Sequence, residues 1–178
     1  SPAFGDVSSD PNLHIDAGDI AAGDLDGDTD IDLAVCYRQW DTAYHGYRSV
    51  IFWNDGRGAF SNDRITAVGG TEVTSEIALG DMNGDLKLDI VLANGAYVTG
   101  GAFNEIFLSD GAGHFDGAGA RLTFGLGSEL AVNVALGDMD SDGDLDAVVQ
   151  HADSGIQVYF NSDGFGNLSI GRTVFAAG

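Results

Sequence analysis

Three observations in the 178-residue sequence predict an all-β chain of repeated four-stranded antiparallel sheets. First, a motif recurs. GDLDGDTDID (Gly23 to Asp32), GDMNGDLKLD (Gly80 to Asp89) and GDMDSDGDLD (Gly137 to Asp146) stand 57 residues apart, and a fixed period of that size marks a repeat architecture. Second, Asp-Gly turns fall between short apolar runs of strand length, a hairpin signal. Third, no long segment places apolar residues at i, i+3, i+4 and i+7, so no amphipathic helix is expected.

The elements follow in chain order. Residues 1–13 are expected to form a surplus outer strand of a preceding sheet, because Phe4 lies as far before Asp24 as Phe60 lies before Asp81, to within one residue. The first unit, 14–73, reads IAAG, an acidic loop, LAVCY, SVIFWN and a D-G-x-G turn at Asp55, with Phe60 two places after it. The second, 74–130, reads IALG, loop, IVLAN, NEIFLS and a turn at Asp110, then Phe115. The third, 131–178, reads VALG, loop, AVVQH, GIQVYF and a turn at Asp163, then Leu168. Each unit closes on a further extended segment. Four short strands joined by tight turns form a meander, and a radial array of such meanders is a β-propeller. The first strand carries Ala and Gly, as a strand crowded at a propeller axis requires. The second strand is apolar on both faces, so it needs a neighbouring blade on each side.

Composition removes several function classes. The formal charge is −21 with only seven Lys plus Arg, so no cationic face is present for nucleic acid or for an anionic membrane surface. No apolar run reaches the ~18 residues of a membrane span, so no membrane insertion is expected. Of 28 acidic residues only four are Glu, and Asp favours turns and hard-cation loops. The lone Cys36 lies in LAVCY and is expected to be a buried thiol. The chain starts at Ser1, which suggests a mature or cut piece of a longer chain. His14, His45, His114 and His151 sit in separate turns, none in a hydrolase or metalloprotease motif, and no enzyme activity is expected. His114 is expected to face solvent, and Asn167-Leu168-Ser169 is a glycosylation acceptor sequence.

The pattern D-x-[DN]-x-D-x-x-x-D after a small apolar strand, followed by D-G-x-G and an apolar residue, resembles the FG-GAP/VCBS repeat of integrin α-subunit propellers. Three copies in register extend the resemblance over essentially the whole chain. It implies up to three Ca²⁺ ions, bound by side chains at loop positions 1, 3, 5 and 9 and by the carbonyl of position 7. Hard cations of this kind take six to eight oxygen ligands. Loop one would supply Asp24, Asp26, Asp28 and Asp32 with the Asp30 carbonyl. Loop two would supply Asp81, Asn83, Asp85 and Asp89 with the Lys87 carbonyl. Loop three would supply Asp138, Asp140, Asp142 and Asp146 with the Asp144 carbonyl. Loop two is expected to bind most weakly, since it has one Asn for Asp and a lysine beside it.

The resemblance also implies a calcium-stabilised recognition or adhesion scaffold, secreted or at the cell surface (extracellular or periplasmic). The alternatives are a carbohydrate-binding lectin of the same blade type and a structural repeat segment of a larger surface protein. The acidic loops and D-G-x-G turns are expected on one face. The opposite face carries the loop Tyr37 to Arg48, whose Trp40, Tyr44, His45 and Tyr47 are the candidate contacts for a protein or glycan partner. Three blades leave open faces, so self-association or further repeats are expected to close the propeller.

Overall fold

The computed structural model describes residues 17–37, 48–70, 72–95 and 102–175. Among them there is no helix, hence none long and apolar enough to cross a membrane. Twelve strands form three four-stranded sheets. The first sheet is β1 (Ala17–Gly23), β2 (Asp32–Tyr37), β3 (Ser49–Asn54) and β4 (Phe60–Val68). The second is β5 (Thr74–Gly80), β6 (Asp89–Asn94), β7 (Asn104–Phe107) and β8 (Arg121–Phe124). The third is β9 (Ala131–Gly137), β10 (Asp146–His151), β11 (Gly155–Phe160) and β12 (Ser169–Phe175). Each sheet is an antiparallel meander in sequence order, as a propeller blade is. Residues 1–13, read above as a surplus outer strand, lie outside the described residues.

The repeat governs register as well as topology. The glycine before each acidic loop pairs with the loop's ninth residue: Gly23 with Asp32, Gly80 with Asp89, Gly137 with Asp146. A bulge recurs near the start of each first strand, between Ala17 and Asp19 and again between Thr74 and Glu76, with its counterpart opposite Gln150 and His151. One boundary differs from the sequence reading. Ala147 pairs with Tyr159 as Ile90 pairs with Phe107 and Leu33 with Phe52. The third strand of unit three therefore aligns one residue later than GIQVYF against SVIFWN suggests. The extra residue is absorbed in the turn beginning at Asn161.

The sheets stack face to face in chain order, and the core lies between them. One cluster joins Leu25, Ala34, Cys36 and Ile51 of the first unit to Ile77, Ile90, Leu92 and Phe107 of the second. Another joins Met82, Val91, Ala93 and Ile106 to Val134, Ala147, Val149 and Tyr159. Every residue of β6, the strand sandwiched twice, is buried. Burying one such aliphatic side chain contributes about 1.5–3 kcal/mol, so the two seams supply most of the core. Close approach depends on two glycines. A Cβ at Gly23 would lie 2.5 Å from Leu88 Cδ1 and 3.1 Å from Leu79 Cδ1; one at Gly80 would lie 2.8 Å from both Leu136 Cδ1 and Leu145 Cδ1. Each glycine is thus a socket for two leucines of the next sheet. Cys36 is fully buried in the first cluster.

Acidic loops join the first and second strands, and the D-G-x-G turns join the third and fourth, so both groups occupy one edge of the stack. The turn joining β10 to β11 and the connection from the second sheet to the third occupy the other. Trp40, Tyr44, His45 and Tyr47 lie outside the described residues.

Candidate metal centres at the acidic loops

Each acidic loop is braced by its own backbone. The first aspartate accepts at least two amide hydrogens from the loop it opens, and Asp81 also takes a third from Asp85 N at 3.0 Å. Asp24 accepts from Gly27 N at 2.7 Å and Thr29 N at 3.0 Å. Asp81 accepts from Gly84 N at 2.7 Å and Leu86 N at 2.7 Å, and Asp138 from Ser141 N at 2.6 Å and Gly143 N at 3.1 Å. The following carboxylates bond two residues onward: Asp26 to Asp28 N, Asp28 to Asp30 N, Asp85 to Lys87 N and Asp142 to Asp144 N. Asn83 does the same with Asp85 N. These are Asx turns, the local geometry that short acidic side chains favour.

The tight winding places positions 4 and 6 of every loop in the left-handed region. Glycine fills one of the two each time, and the other is Thr29 (φ 77°), Leu86 (φ 66°) or Ser141 (φ 68°). A β-branched or bulky residue there is strained. The requirement is invisible in the acidic spacing alone, because glycine stands at position 4 in the first two loops and at position 6 in the third.

The result is convergence of side-chain oxygens. Carboxylate atoms of Asp24, Asp26 and Asp28 lie within 4.8 Å of one another, and so do those of Asp138, Asp140 and Asp146. In loop two the third residue is Asn83, and Lys87 Nζ lies 3.2 Å from Asp85 Oδ2. Like charges and partial burial act on these groups. Burial, then the charges of Asp28 and Asp32, raise the Asp26 pKa; burial, then Asp142 and Asp146, raise that of Asp140.

The ninth aspartates have a second task that the sequence reading missed. Each is almost wholly buried, and each uses both oxygens on backbone amides from two different segments. Asp32 Oδ2 accepts from Leu25 N at 3.1 Å and Oδ1 from Asn54 N at 2.9 Å. Asp89 holds Met82 N and Ser109 N, both at 2.8 Å. Asp146 holds Met139 N at 2.8 Å and Asn161 N at 2.9 Å. The carboxylate ties the second residue of the acidic loop to the residue that ends the third strand or follows it. Burial pushes the Asp89 pKa up to about 6, against the lowering effect of its two amide bonds. An ionised carboxylate offers about four lone-pair directions, so two amide bonds still leave acceptor capacity for a cation.

Position 7 contributes its side chain elsewhere. A Cβ on Gly56 would sit 2.6 Å from Asp30 Oδ2, one on Gly164 2.8 Å from Asp144 Oδ2, and one on Gly111 2.6 Å from Lys87 Cδ. These side chains lie against the neighbouring D-G-x-G turn of their own unit. The turn of the next unit covers the loop from the other side: Gly113 approaches Asp26 and Trp53, and Asn161 Nδ2 donates to the Met82 carbonyl at 2.8 Å. The turns themselves are held by Asp55, Asp110 and Asp163, whose pKa values are lowered chiefly by backbone amide bonds. His114 is exposed and pairs with Asp110 Oδ2 at 2.7 Å.

On the opposite edge, the connection from the second sheet to the third carries Glu129. Its Oε1 accepts from Ser154 Oγ at 3.0 Å and from Gln157 Nε2 at 3.1 Å. Tyr159 OH donates to Gln157 Oε1 at 2.7 Å and lies 3.3 Å from His151 Nε2. With the phenol hydrogen on Gln157, His151 is assigned the Nε2–H tautomer, and its Nδ1 is buried without a hydrogen-bond partner. Burial lowers the His151 pKa, opposed by Glu129. The arrangement locks the inter-sheet connection. Arg48 Nε does similar work in the first unit, donating to the Gly69 carbonyl at 2.9 Å.

The acidic-edge donor set is all oxygen and mostly anionic, which suits a hard cation rather than a thiolate-seeking one. The family model described as FG-GAP-like repeat matches the chain twice, over residues 24–92 and 81–149. Each match opens on a first loop aspartate and ends within the second strand of the following unit. Among curated proteins none matches the chain.

Proposed function

The chain belongs to the FG-GAP-like repeat family, and on that premise we propose that it is a calcium-stabilised β-propeller scaffold for extracellular recognition or adhesion. The observation that carries this reading is the threefold recurrence of one oxygen-rich loop, gathered by the same pattern of amide bonds onto the first and ninth aspartates. Calcium would be held by Asp24, Asp26, Asp28 and Asp32 in loop one. In loop two the set would be Asp81, Asn83, Asp85 and Asp89, and in loop three Asp138, Asp140, Asp142 and Asp146. The carbonyls of Asp30, Lys87 and Asp144 would complete the three shells. A bound ion supplies positive charge where the loop carboxylates repel one another.

The ions serve stability in this reading, while recognition belongs to the other edge. The loop beginning after Tyr37 is rich in aromatic side chains, and Trp40, Tyr44, His45 and Tyr47 are the proposed contacts for a protein or glycan. Paired removal of Trp40 and Tyr44 with partner binding unchanged would displace that assignment. We assign the chain no reaction. Secretion or surface display is proposed together with the calcium reading, since the weak calcium sites of about 10⁻⁴–10⁻³ M belong to extracellular modules. Units 14–73, 74–130 and 131–178 are the proposed blades, with closure by a second copy or by further units.

Thermal melting in calcium and in chelator tests the scaffold claim. Ligand at one hundred times Kd adds about 2.7 kcal/mol per site. In a domain of this size each kcal/mol moves Tm by about 2–4 °C. A Tm indifferent to both additions overturns the reading.

A further inference from the structure

The two outward faces of the stack carry the two halves of the seam that the chain already builds twice inside itself. On the first sheet, Ile20 is 57% exposed, whereas its counterparts 57 and 114 residues on, Ile77 and Val134, are 4% and 5% exposed. Ile31 is 52% exposed, although its counterparts Leu88 and Leu145 fill the glycine sockets at Gly23 and Gly80. Phe60 is 39% exposed against 5% for Phe115. Among the described residues, these are the knobs of a seam with nothing in front of them.

The third sheet presents the matching holes. Met139 is 48% exposed, while its counterparts Leu25 and Met82 are each 1% exposed. Gly137 occupies the socket position, yet the atom a Cβ there would meet is the tip of Met139 rather than a leucine from another sheet. A polar marker agrees. Asn161 Nδ2 bonds the Leu145 carbonyl at 3.2 Å and, across the seam, the Met82 carbonyl at 2.8 Å. The Nδ2 of its counterpart Asn54 donates to the Ile31 carbonyl at 3.0 Å and to no second carbonyl among the described residues. The carbonyl in the position of Met82 on the open third sheet is that of Met139.

We propose that the third sheet docks onto the first sheet of a second copy of this chain, head to tail, with Ile31 of one copy over Gly137 of the other and Asn54 donating to the Met139 carbonyl. The proposal rests on the propeller-scaffold reading and commits it to one occupant. A heterologous seam either closes or propagates. Two copies bring six sheets, inside the four-to-eight range of closed radial arrays, and three would exceed it. The pair therefore has two identical seams. Gln150 stands where Cys36 and Ala93 are buried, so the seam is polar at its lower edge.

Sedimentation equilibrium of the full chain, with calcium and with chelator, is the test. At about 0.1 mM the expected mass is twice the 18.4 kDa chain. Ile20→Glu and Met139→Glu are each expected to give a folded monomer, since both side chains are exposed. An equimolar mixture of the two variants retains one intact seam and should recover a heterodimer at least tenfold weaker than the wild-type pair. A folded wild-type monomer overturns the proposal and leaves the faces to further repeat units. A dimer that survives both substitutions, or variants whose mixture stays monomeric, also overturns it. A calcium-dependent Tm in a monomer would defeat the docking alone. A dimer whose Tm ignores calcium would defeat the metal reading alone.

Discussion

Asp32→Asn exchanges one buried carboxylate oxygen for an NH₂ group and changes little else in shape. In the native loop the two oxygens accept Leu25 N and Asn54 N at 3.1 and 2.9 Å, and the residue is 1% exposed. Asparagine keeps one acceptor. At the other position two N–H donors face each other, with no water to take either. A hydrogen bond to a charged group contributes about 1.5–3 kcal/mol, and a buried donor without a partner costs about 1–3 kcal/mol. With partial relaxation, the expected loss is about 2–4 kcal/mol, or roughly 4–16 °C in Tm. Melting followed by circular dichroism in excess chelator isolates this bracing role from metal binding. Asp32→Ala, which removes both acceptors, should cost more than Asp32→Asn. Asp28→Asn is the control. Its exposed carboxylate accepts Asp30 N in a solvent-exposed bond, so in chelator it should cost less than about 1 kcal/mol while reducing the calcium-induced rise in Tm. If Asp32→Asn melts with wild type in chelator, the buried carboxylate is not the brace described above.

Leu86→Gly removes a left-handed leucine that is 93% exposed, and in chelator it should stabilise by about 0.5–1 kcal/mol; a lower Tm would contradict the strain assigned there. Lys87→Gln removes the cation 3.2 Å from Asp85 and should tighten calcium at loop two by about threefold to tenfold, read by calorimetry, with loop two the weakest site in wild type. His151 has its pKa lowered by burial, so the unfolded chain binds the extra proton. Its contribution to stability is full above about pH 6.5 and is lost as pH falls through the depressed folded value. His151→Asn should flatten that slope in denaturant titrations across this range, and an unchanged slope would show that His151 does not carry it.

Much of the architecture was legible because its determinants are local and repeated. The pair formed by Gly23 and Asp32 closes a loop within ten residues, and the same letters recur at Gly80 and Asp89 and at Gly137 and Asp146. The gathering of Asp24, Asp26 and Asp28 was likewise visible in the spacing. Contacts between units were not. Asn161 reaches Met82, 79 residues away, and nothing in either local stretch announces the bond. The only available signal was an asparagine at the end of the third strand, at Asn54 and again at Asn161. The cluster of Glu129 with Ser154, Gln157 and Tyr159 spans 25–30 residues and exists only once the sheets are stacked. The aromatic loop containing Trp40 shows the converse: conspicuous composition identifies candidates without fixing their placement.

The ninth aspartate best explains why a loop with so many carboxylates can form at all. Repulsion would spread these side chains if they met only one another. In each loop, however, backbone amides point into the cluster, at least four onto the first and ninth carboxylates and more onto those between. The partial positive charge of aligned N–H groups is the resource that anion-binding backbone nests use. Here it is turned on the protein's own side chains. On the calcium reading proposed above, the loop would be largely formed before the cation arrives, and the cation would have little ordering entropy to overcome. Two consequences separate this from a metal-nucleated fold. In chelator the sheets should keep their circular dichroism and melt cooperatively at a lower temperature. Removal of the brace at Asp32 should harm the chelated protein more than removal of the exposed ligand at Asp28. A chain that unfolded on chelation alone, with Asp32→Asn no worse than Asp28→Asn, would place the organising role in the metal instead.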